Sequence, residues 1–505
     1  MNYRCWHPKD IEFVDYTQLS GLRTYVRSLC HIFSKAVNDV LPSATLNLEH
    51  PISKGYYCVI HNGKKIDGET IDKIKKRMRE IIDADLPFLH KTIRTVDATV
   101  LFRERGMNDK ARLIETAGMP YTSYYELDGY VNFFYGCLTP STGYIQLFDI
   151  VPYFDGVLLQ IPKRRNPLEL EPAIKQDKMF EAYKEHLTLQ RTLGLNNVGD
   201  LNRAIENGHT SEVIMVSEAM QEKQVAKIAE EIAGRYQDGV RIVLISGPSS
   251  SGKTTFCKRL EVQLITNLIH PVSISLDDYF LNREDTPKDE SGDYDFESLY
   301  ALDLPYFNSE MKKLLSGEEI EVPSFNFETG LRVYKGKKLK MRENSVLVIE
   351  GIHALNPELT SMIDDKYKYR VYVSVLTSIS LDNHNWIPTT DNRLLRRIIR
   401  DYRFRGYSAK DTIARWPSVR RGEDKWIFPY QENADAMFNS AMLYELAALR
   451  KFAEPILAEV REDEEENAEA YRLLRFLRYF NYIPDVGLPG TSLLREFLGG
   501  GSFRY

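Results

Sequence analysis

The spacing of apolar and polar residues predicts a mixed front half followed by a regular alternation of strands and helices. Residues 22–40 and 71–82 each carry apolar side chains at helical spacing, and the second helix should end before Pro87. Runs rich in aromatic and β-branched residues predict strands at residues 130–134 and 144–150. We therefore expect an α+β unit at the front of the chain.

Changes in this pattern divide the rest of the chain. Residues 163–235 are predicted to form a helical connector, and residues 451–505 a helical tail. Between them, residues 236–450 alternate short apolar strands with helices, which is typical of a parallel α/β sheet. The front unit is assigned to residues 17–162, preceded by a short segment at residues 1–16.

Composition narrows the class of protein. The 505 residues are 43% hydrophobic and 27% charged, as in ordinary globular proteins. The net charge of -6 disfavours a nucleic-acid binder that relies on overall basicity. We expect no membrane association, because no uncharged apolar stretch reaches the ~18–20 residues that span a bilayer. Five widely spaced cysteines and the lack of a signal peptide favour the cytoplasm.

The strongest chemical signal is the segment 247–254, which matches G-x-x-x-x-G-K-[ST] in full. We call it the phosphate loop. An apolar strand at 241–245 precedes it, and a helix predicted at 255–268 follows. Backbone N–H groups and the helix dipole bind phosphate oxygens in such loops, while the lysine charge reaches the outer phosphates. The predicted nucleotide-binding residues are Gly247, Ser249, Ser250, Ser251, Gly252, Lys253, Thr254 and Thr255.

Acidic residues follow two further predicted strands. Glu350 ends the apolar run 346–349, and together with the hydroxyl of Thr254 it is a candidate for placing Mg²⁺. Asp277 and Asp278 end another strand, where a carboxylate can remove the proton of an attacking hydroxyl. Because consecutive side chains of an extended strand face opposite ways, only one of the two should reach the site.

Four arginines share one predicted helix face, at Arg393, Arg396, Arg397 and Arg400. A solvated basic face explains such a run, and so does a movable lid that neutralises charge on a transferring phosphoryl group. The sequence pattern alone leaves both interpretations open.

The order of motifs in residues 240–440 resembles the uridine kinase family, within the uridine kinase/phosphoribulokinase group. The motifs are GPSSSGKT, SLDDYF, YDFESLYALD, VPSFNF, VLVIEGIHAL, NRLLRRIIRDYRFRG and FPYQENAD. The resemblance implies a P-loop kinase that uses ATP or GTP with Mg²⁺ to phosphorylate a nucleoside-like acceptor, foremost uridine or cytidine. It implies the following roles: Asp277 as base, Lys253 on the phosphates, Thr254 and Glu350 at the metal, Arg397, Arg400 and Arg405 in the lid, and Glu297 and Phe325 at the acceptor.

Departures from the family pattern concentrate at the acceptor. Glu297 stands where the family has aspartate, and Phe325 where it has tyrosine. Because hydrogen-bonding groups decide substrate choice, another small alcohol or a sugar phosphate remains an alternative acceptor.

Residues 22–160 resemble the second additional, editing-type domain of bacterial threonyl-tRNA synthetases. The matching pieces are SLCHIFSKAV, SKGYYC, TIDKIKKRMREIIDADLPF and YGCLTPSTGYIQLF. Of the four reactive positions of that domain only His31 is kept, since Arg27, Phe134 and Leu138 stand at the others. We expect the fold without editing activity, because a lone histidine cannot form a metal site.

Residues 1–16 resemble the end of a TGS-like domain, which precedes the editing-type module in related chains. The synthetase-like front half leaves tRNA open as a partner and a nucleotide-gated RNA-binding regulator as a second alternative. The sequence leaves a homo-oligomer open as well.

Overall fold

The computed structural model describes residues 12–164, 166–288, 292, 294–326 and 329–504. Most of the TGS-like segment predicted at residues 1–16 lies outside these residues. The α-helices are α1 Leu19–Val40, α2 Gly68–Asp83, α3 Thr95–Glu104, α4 Asn108–Thr116, α5 Asp177–Thr192, α6 Val198–Glu206, α7 Thr210–Tyr236, α8 Lys253–Thr266, α9 Leu304–Leu315, α10 Thr389–Phe404, α11 Ala409–Trp426, α12 Glu445–Ala458, α13 Asn467–Leu477 and α14 Arg495–Leu498.

The strands group into two sets. In the front half and the start of the connector they are β1 Thr45–Ile52, β2 Gly55–His61, β3 Leu89–Arg94, β4 Tyr121–Leu127, β5 Tyr130–Asn132, β6 Asp149–Tyr153, β7 Gly156–Gln160, β8 Pro162–Lys163 and β9 Asn166–Leu170. The remaining strands are β10 Ile242–Ser246, β11 His270–Ser275, β12 Ile320–Asn326, β13 Leu331–Leu339, β14 Ser345–Glu350, β15 Lys368–Ser374 and β16 Ala436–Asn439.

The front half is an α+β unit, as expected. Its antiparallel sheets have the strand orders β1-β2-β7-β6 and β3-β4-β5, and both predicted helices form, as α1 and α2. The strand predicted at 144–150 is wrong over most of its length, since β6 begins only at Asp149. The hydroxyl of Tyr25 bonds both the N–H and the C=O of Leu147, which occupies backbone groups that a strand would pair.

The second half contains the predicted parallel sheet, with the strand order β11-β14-β10-β15-β16. Every residue of the central strand β10 is buried, so a continuous apolar run is what this position requires. Helix α8 follows the phosphate loop and ends at Thr266. The prediction that it continues to Leu268 is wrong, because Leu268 adopts a left-handed conformation with φ 62° and is 80% exposed.

One hydrophobic core joins the front half, the connector, the parallel sheet and the tail. Its buried members include Phe102 from α3, Ile228 from α7, Val371 from β15 and Phe476 from α13. The predicted boundary at residue 450 falls inside α12. Across the described ranges, no helix is long and apolar enough to cross a membrane.

Candidate active site

The phosphate loop lies between the central strand β10 and helix α8, and its two glycines are required by close contacts. A Cβ atom at Gly247 would lie 2.2 Å from the carbonyl oxygen of Val373. Gly252 has φ 83° and would place a Cβ 2.6 Å from Leu493. A side chain fits at neither position, so the loop can curve only with glycine there.

Lys253 lies over the loop with its ammonium group against backbone oxygens. Its Nζ donates to the carbonyls of Gly247 at 2.9 Å and Pro248 at 3.0 Å. Burial lowers the pKa of Lys253, and the carboxylates of Glu350 and Asp277 oppose that change. These interactions bring the lysine and both predicted acids into one cluster.

Thr254 and Glu350 form the candidate metal site. The Thr254 hydroxyl donates to the Glu350 carboxylate at 2.9 Å. Burial raises the pKa of Glu350 to about 7, and the charge of Lys253 opposes the rise. Two oxygen donors suit Mg²⁺, which keeps several waters and takes phosphate oxygens as further ligands. No group of three or more His, Cys, Asp or Glu side chains that could hold a metal occurs in the part of the chain described.

Asp277 and Asp278 face different neighbours, although they lie on the 3₁₀ turn Leu276–Tyr279 and not on an extended strand. The Asp278 carboxylate accepts a hydrogen bond from the N–H of Phe325 at 3.3 Å. Asp277 is solvent-accessible, yet the protein around its carboxyl limits hydration and raises its pKa. The positive charges that oppose this rise belong to Lys253, Arg405 and Arg400. Asp277 is therefore the one of the pair that lies among the predicted catalytic cations.

The arginines of α10 divide into two pairs with different surroundings. Arg393 and Arg396 are fully buried. Arg393 is ion-paired with Glu423 and donates to the Ser249 carbonyl at 2.9 Å. Arg396 is ion-paired with Glu445, and its Nη1 lies 3.3 Å from the Ser250 carbonyl oxygen. Neither is part of a solvated face, and both tie α10 to the phosphate loop.

The three arginines predicted to form a lid converge on one buried carboxylate, Asp401. Its oxygens lie 3.2 Å from Arg397, 3.0 Å from Arg400 and 3.6 Å from Arg405. Arg397 also donates to the hydroxyl of Ser249 at 2.8 Å. Asp401 thus holds three positive charges beside the loop without exposing them fully to water.

The predicted acceptor residues Glu297 and Phe325 have different neighbours. Burial raises the pKa of Glu297 to about 7, with Glu423 adding to the rise and Arg397 opposing it. Glu297 packs against α11, because a Cβ at Gly422 would lie 2.3 Å from it. Phe325 is 8% exposed and its ring centroid lies 5.5 Å from that of Phe280.

Three carboxylates of the site were not identified from the sequence. Asp401 could have been found from its i, i+4 spacing to Arg397. Glu423 binds the N–H of Ser249 at 3.1 Å. Glu496 accepts hydrogen bonds from Thr255. No local signal pointed to the last two, which lie 174 and 241 residues from their partners.

In the front half, the retained histidine lies in an apolar cage. Rings of Phe88, Tyr130 and Phe134 lie 5.4–5.8 Å from the ring of His31. Burial lowers the pKa of His31 to about 3. Leu138 is buried as well. Two of the four positions that carry reactive side chains in the editing-type domain are apolar here, and at a third Arg27 donates to the carbonyl of Cys137 at 3.0 Å.

Comparison with known proteins confirms both resemblances. Residues 242–446 match the model of the Phosphoribulokinase / Uridine kinase family, which is less than half of the chain. A uridine kinase of Ureaplasma urealyticum serovar 10 is 28% identical over 197 residues, 38% of this chain and 85% of that protein. A uridine kinase of Schizosaccharomyces pombe is 30% identical over 197 residues, 38% of this chain and 37% of its own length.

The N-terminal side matches threonine–tRNA ligases. The protein of Citrifermentans bemidjiense is 27% identical over 201 residues, 38% of this chain and 31% of the relative. The chain therefore spans about a third of the length of these ligases.

Proposed function

We propose that residues 236–450 transfer the γ-phosphoryl group of ATP or GTP to a hydroxyl of a nucleoside-like acceptor, with uridine and cytidine as the expected acceptors. The observation that carries the proposal is the cluster around the phosphate loop. The Lys253 ammonium lies 2.9 Å from the Gly247 carbonyl oxygen, and the Thr254 hydroxyl lies 2.9 Å from the Glu350 carboxylate. Asp277 is close enough to oppose the lowering of the Lys253 pKa by burial. A phosphate-binding lysine, a metal-placing carboxylate and a candidate base within one cluster are the parts that phosphoryl transfer to an alcohol needs.

In the proposed reaction, each of these groups has one role. Asp277 accepts the proton of the acceptor hydroxyl while that oxygen forms a bond to the γ-phosphorus. The bond between the γ-phosphorus and the β–γ bridging oxygen breaks, and the nucleoside diphosphate leaves with those electrons. Arg397, Arg400 and Arg405 offset negative charge on the moving group. Mg²⁺ at Thr254 and Glu350 would neutralise charge on the phosphates.

A specific observation favours a second class of acceptor. Lys335 and Lys337 of β13 are close enough to Asp278 to oppose the rise of its pKa. Positive charge near Asp278, which accepts a hydrogen bond from the predicted acceptor residue Phe325, suits a phosphorylated alcohol, such as a sugar phosphate, as well as a neutral nucleoside.

The test is release of nucleoside diphosphate by the full chain with ATP and Mg²⁺ against a panel of nucleosides and sugar phosphates. Turnover with uridine or cytidine supports the first acceptor class, and turnover with a sugar phosphate supports the second. A protein that binds ATP but phosphorylates none of the panel would overturn the proposal. Melting-temperature shifts from each acceptor provide an independent measure of binding.

A further inference from the structure

The C-terminal segment reaches the phosphate loop from beyond residue 446, the end of the family match. Its short helix α14 carries Glu496, whose carboxylate accepts hydrogen bonds from the N–H of Thr255 at 3.1 Å and from its hydroxyl at 2.8 Å. Thr255 is the third residue of α8, so this carboxylate lies at the positive end of the helix dipole.

The backbone that carries Glu496 is fixed by packing. Leu493, Leu494, Phe497 and Leu498 are all buried. The Arg396 guanidinium lies 5.1 Å from the ring of Phe497. The residue Glu496 itself is only partly buried. Its carboxylate can therefore move by side-chain rotation while the segment stays in place.

The groups that Glu496 occupies are those that a phosphate would use. Backbone N–H groups and hydroxyls at the start of the helix after a phosphate loop are phosphate ligands. The Thr255 N–H and hydroxyl cannot be held by the Glu496 carboxylate and a polyphosphate oxygen at once. Two anions there would also repel each other, with Glu350 close by.

We propose that Glu496 is a built-in competitor of the nucleotide, holding the Thr255 N–H and hydroxyl in the free protein until the polyphosphate displaces it. The inference rests on the proposed function, because it assumes that a nucleoside triphosphate binds at the phosphate loop. The observed nucleotide affinity is then the intrinsic affinity reduced by the fraction of molecules in which Glu496 has swung away.

The test is calorimetric titration of the full chain with ATP and Mg²⁺, comparing wild type with Glu496→Gln and Glu496→Ala. The matched control is Glu462→Gln, which removes the same charge from an exposed position in the tail. Both Glu496 variants should bind ATP about tenfold more tightly than wild type, because a charged hydrogen-bond competitor is lost. Glu462→Gln should bind as wild type does.

Two further ligands test whether Glu496 competes with the polyphosphate specifically or whether its substitution changes ligand binding in general. Inorganic triphosphate should gain affinity in Glu496→Gln by the same factor as ATP, whereas adenosine should gain none. Melting curves of the variants check that each is folded.

The possible failures are distinguishable. If wild type binds ATP and the Glu496 variants bind it equally well or more weakly, the competitor role is overturned and the kinase proposal stands. If ATP binds to neither wild type nor any Glu496 variant, the kinase proposal fails and this inference fails with it.

Discussion

At the scale of single residues, the site places several carboxylates around one lysine. Asp277, Glu350 and Glu496 all act on the pKa of Lys253 in the same direction. Burial in turn raises the pKa of Glu297 and of Glu350 to about 7. Carboxylates this close together repel one another and lower the stability of the free protein. Such clusters are typical of sites that bind cations and substrate.

Glu297 gives a pH-dependent prediction. Its pKa is about 7 in the folded chain and ordinarily 4.5, so the folded state binds more protons than the unfolded state between these values. The free energy of unfolding should therefore fall as pH rises through this window. Glu297→Gln removes this loss, which is about 1–3 kcal/mol. Its melting temperature relative to wild type should be higher at pH 8 than at pH 5.

The control for this prediction is Glu284→Gln, which removes an exposed glutamate. Its difference from wild type should not change with pH. A constant difference for Glu297→Gln between pH 5 and pH 8 would show that Glu297 is not held protonated by burial.

Motif and strand-end patterns predicted the lysine, the threonine and two of the acids of the cluster, but they missed the carboxylates that α11 and α14 bring to the phosphate loop. Lys253 and Thr254 follow from the glycine-bracketed loop, since their roles depend on local spacing. Glu423 and Glu496 lie on α11 and α14, and only the packing of those helices brings them to Ser249 and Thr255. No single-sequence pattern encodes such contacts.

At the scale of elements, buried ion pairs join α10 to α11 and α12, and the same two arginines contact backbone carbonyls of the phosphate loop. Arg396→Met would leave Glu445 buried without its cation, which should lower the free energy of unfolding by about 3–5 kcal/mol. The double variant Arg396→Met/Glu445→Leu should recover part of this loss. Chemical denaturation of the single and double variants measures both effects.

The control on the same helix is Arg403→Met, which changes an exposed arginine and should cost about 0.5 kcal/mol or less. If Arg396→Met were as mild as this control, the ion pair with Glu445 would not be what fixes α10.

Element prediction succeeded where periodicity was strong and failed at ends and turns. The apolar stripes of α1 and α2 are long enough to predict a helix without ambiguity. The segment 144–150 is rich in aromatic and aliphatic residues too, but the Tyr25 hydroxyl takes the backbone hydrogen bonds of Leu147. Leu268 matches the stripe of α8 yet lies beyond the helix end. A tertiary contact decides the first case, and the left-handed backbone conformation of Leu268 decides the second.

At the scale of the whole molecule, a buried ion pair joins the front half to the segment between β15 and α10. Lys110 of α4 donates to Asp382 at 2.7 Å, and both side chains are at most 1% exposed. Arg23 of α1 extends the connection to Glu469 of α13 at 2.8 Å. With a shared core, these contacts make separate unfolding of the two halves unfavourable.

We therefore predict that the full chain melts in one calorimetric transition. Lys110→Met should lower the melting temperature of this single transition, because Asp382 is left buried without its cation. Lys73→Met, which changes an exposed lysine, should leave the melting temperature unchanged. Two resolved transitions, with only one shifted by Lys110→Met, would show that the halves fold independently.

The most direct test of the account is phosphoryl transfer by Asp277→Asn, measured beside ATP binding in the same preparation. If Asp277 removes the proton of the acceptor, the variant should bind ATP as wild type does and transfer phosphate about 10²–10⁴-fold more slowly. An Asp277→Asn protein that phosphorylates the acceptor at the wild-type rate would contradict the central claim.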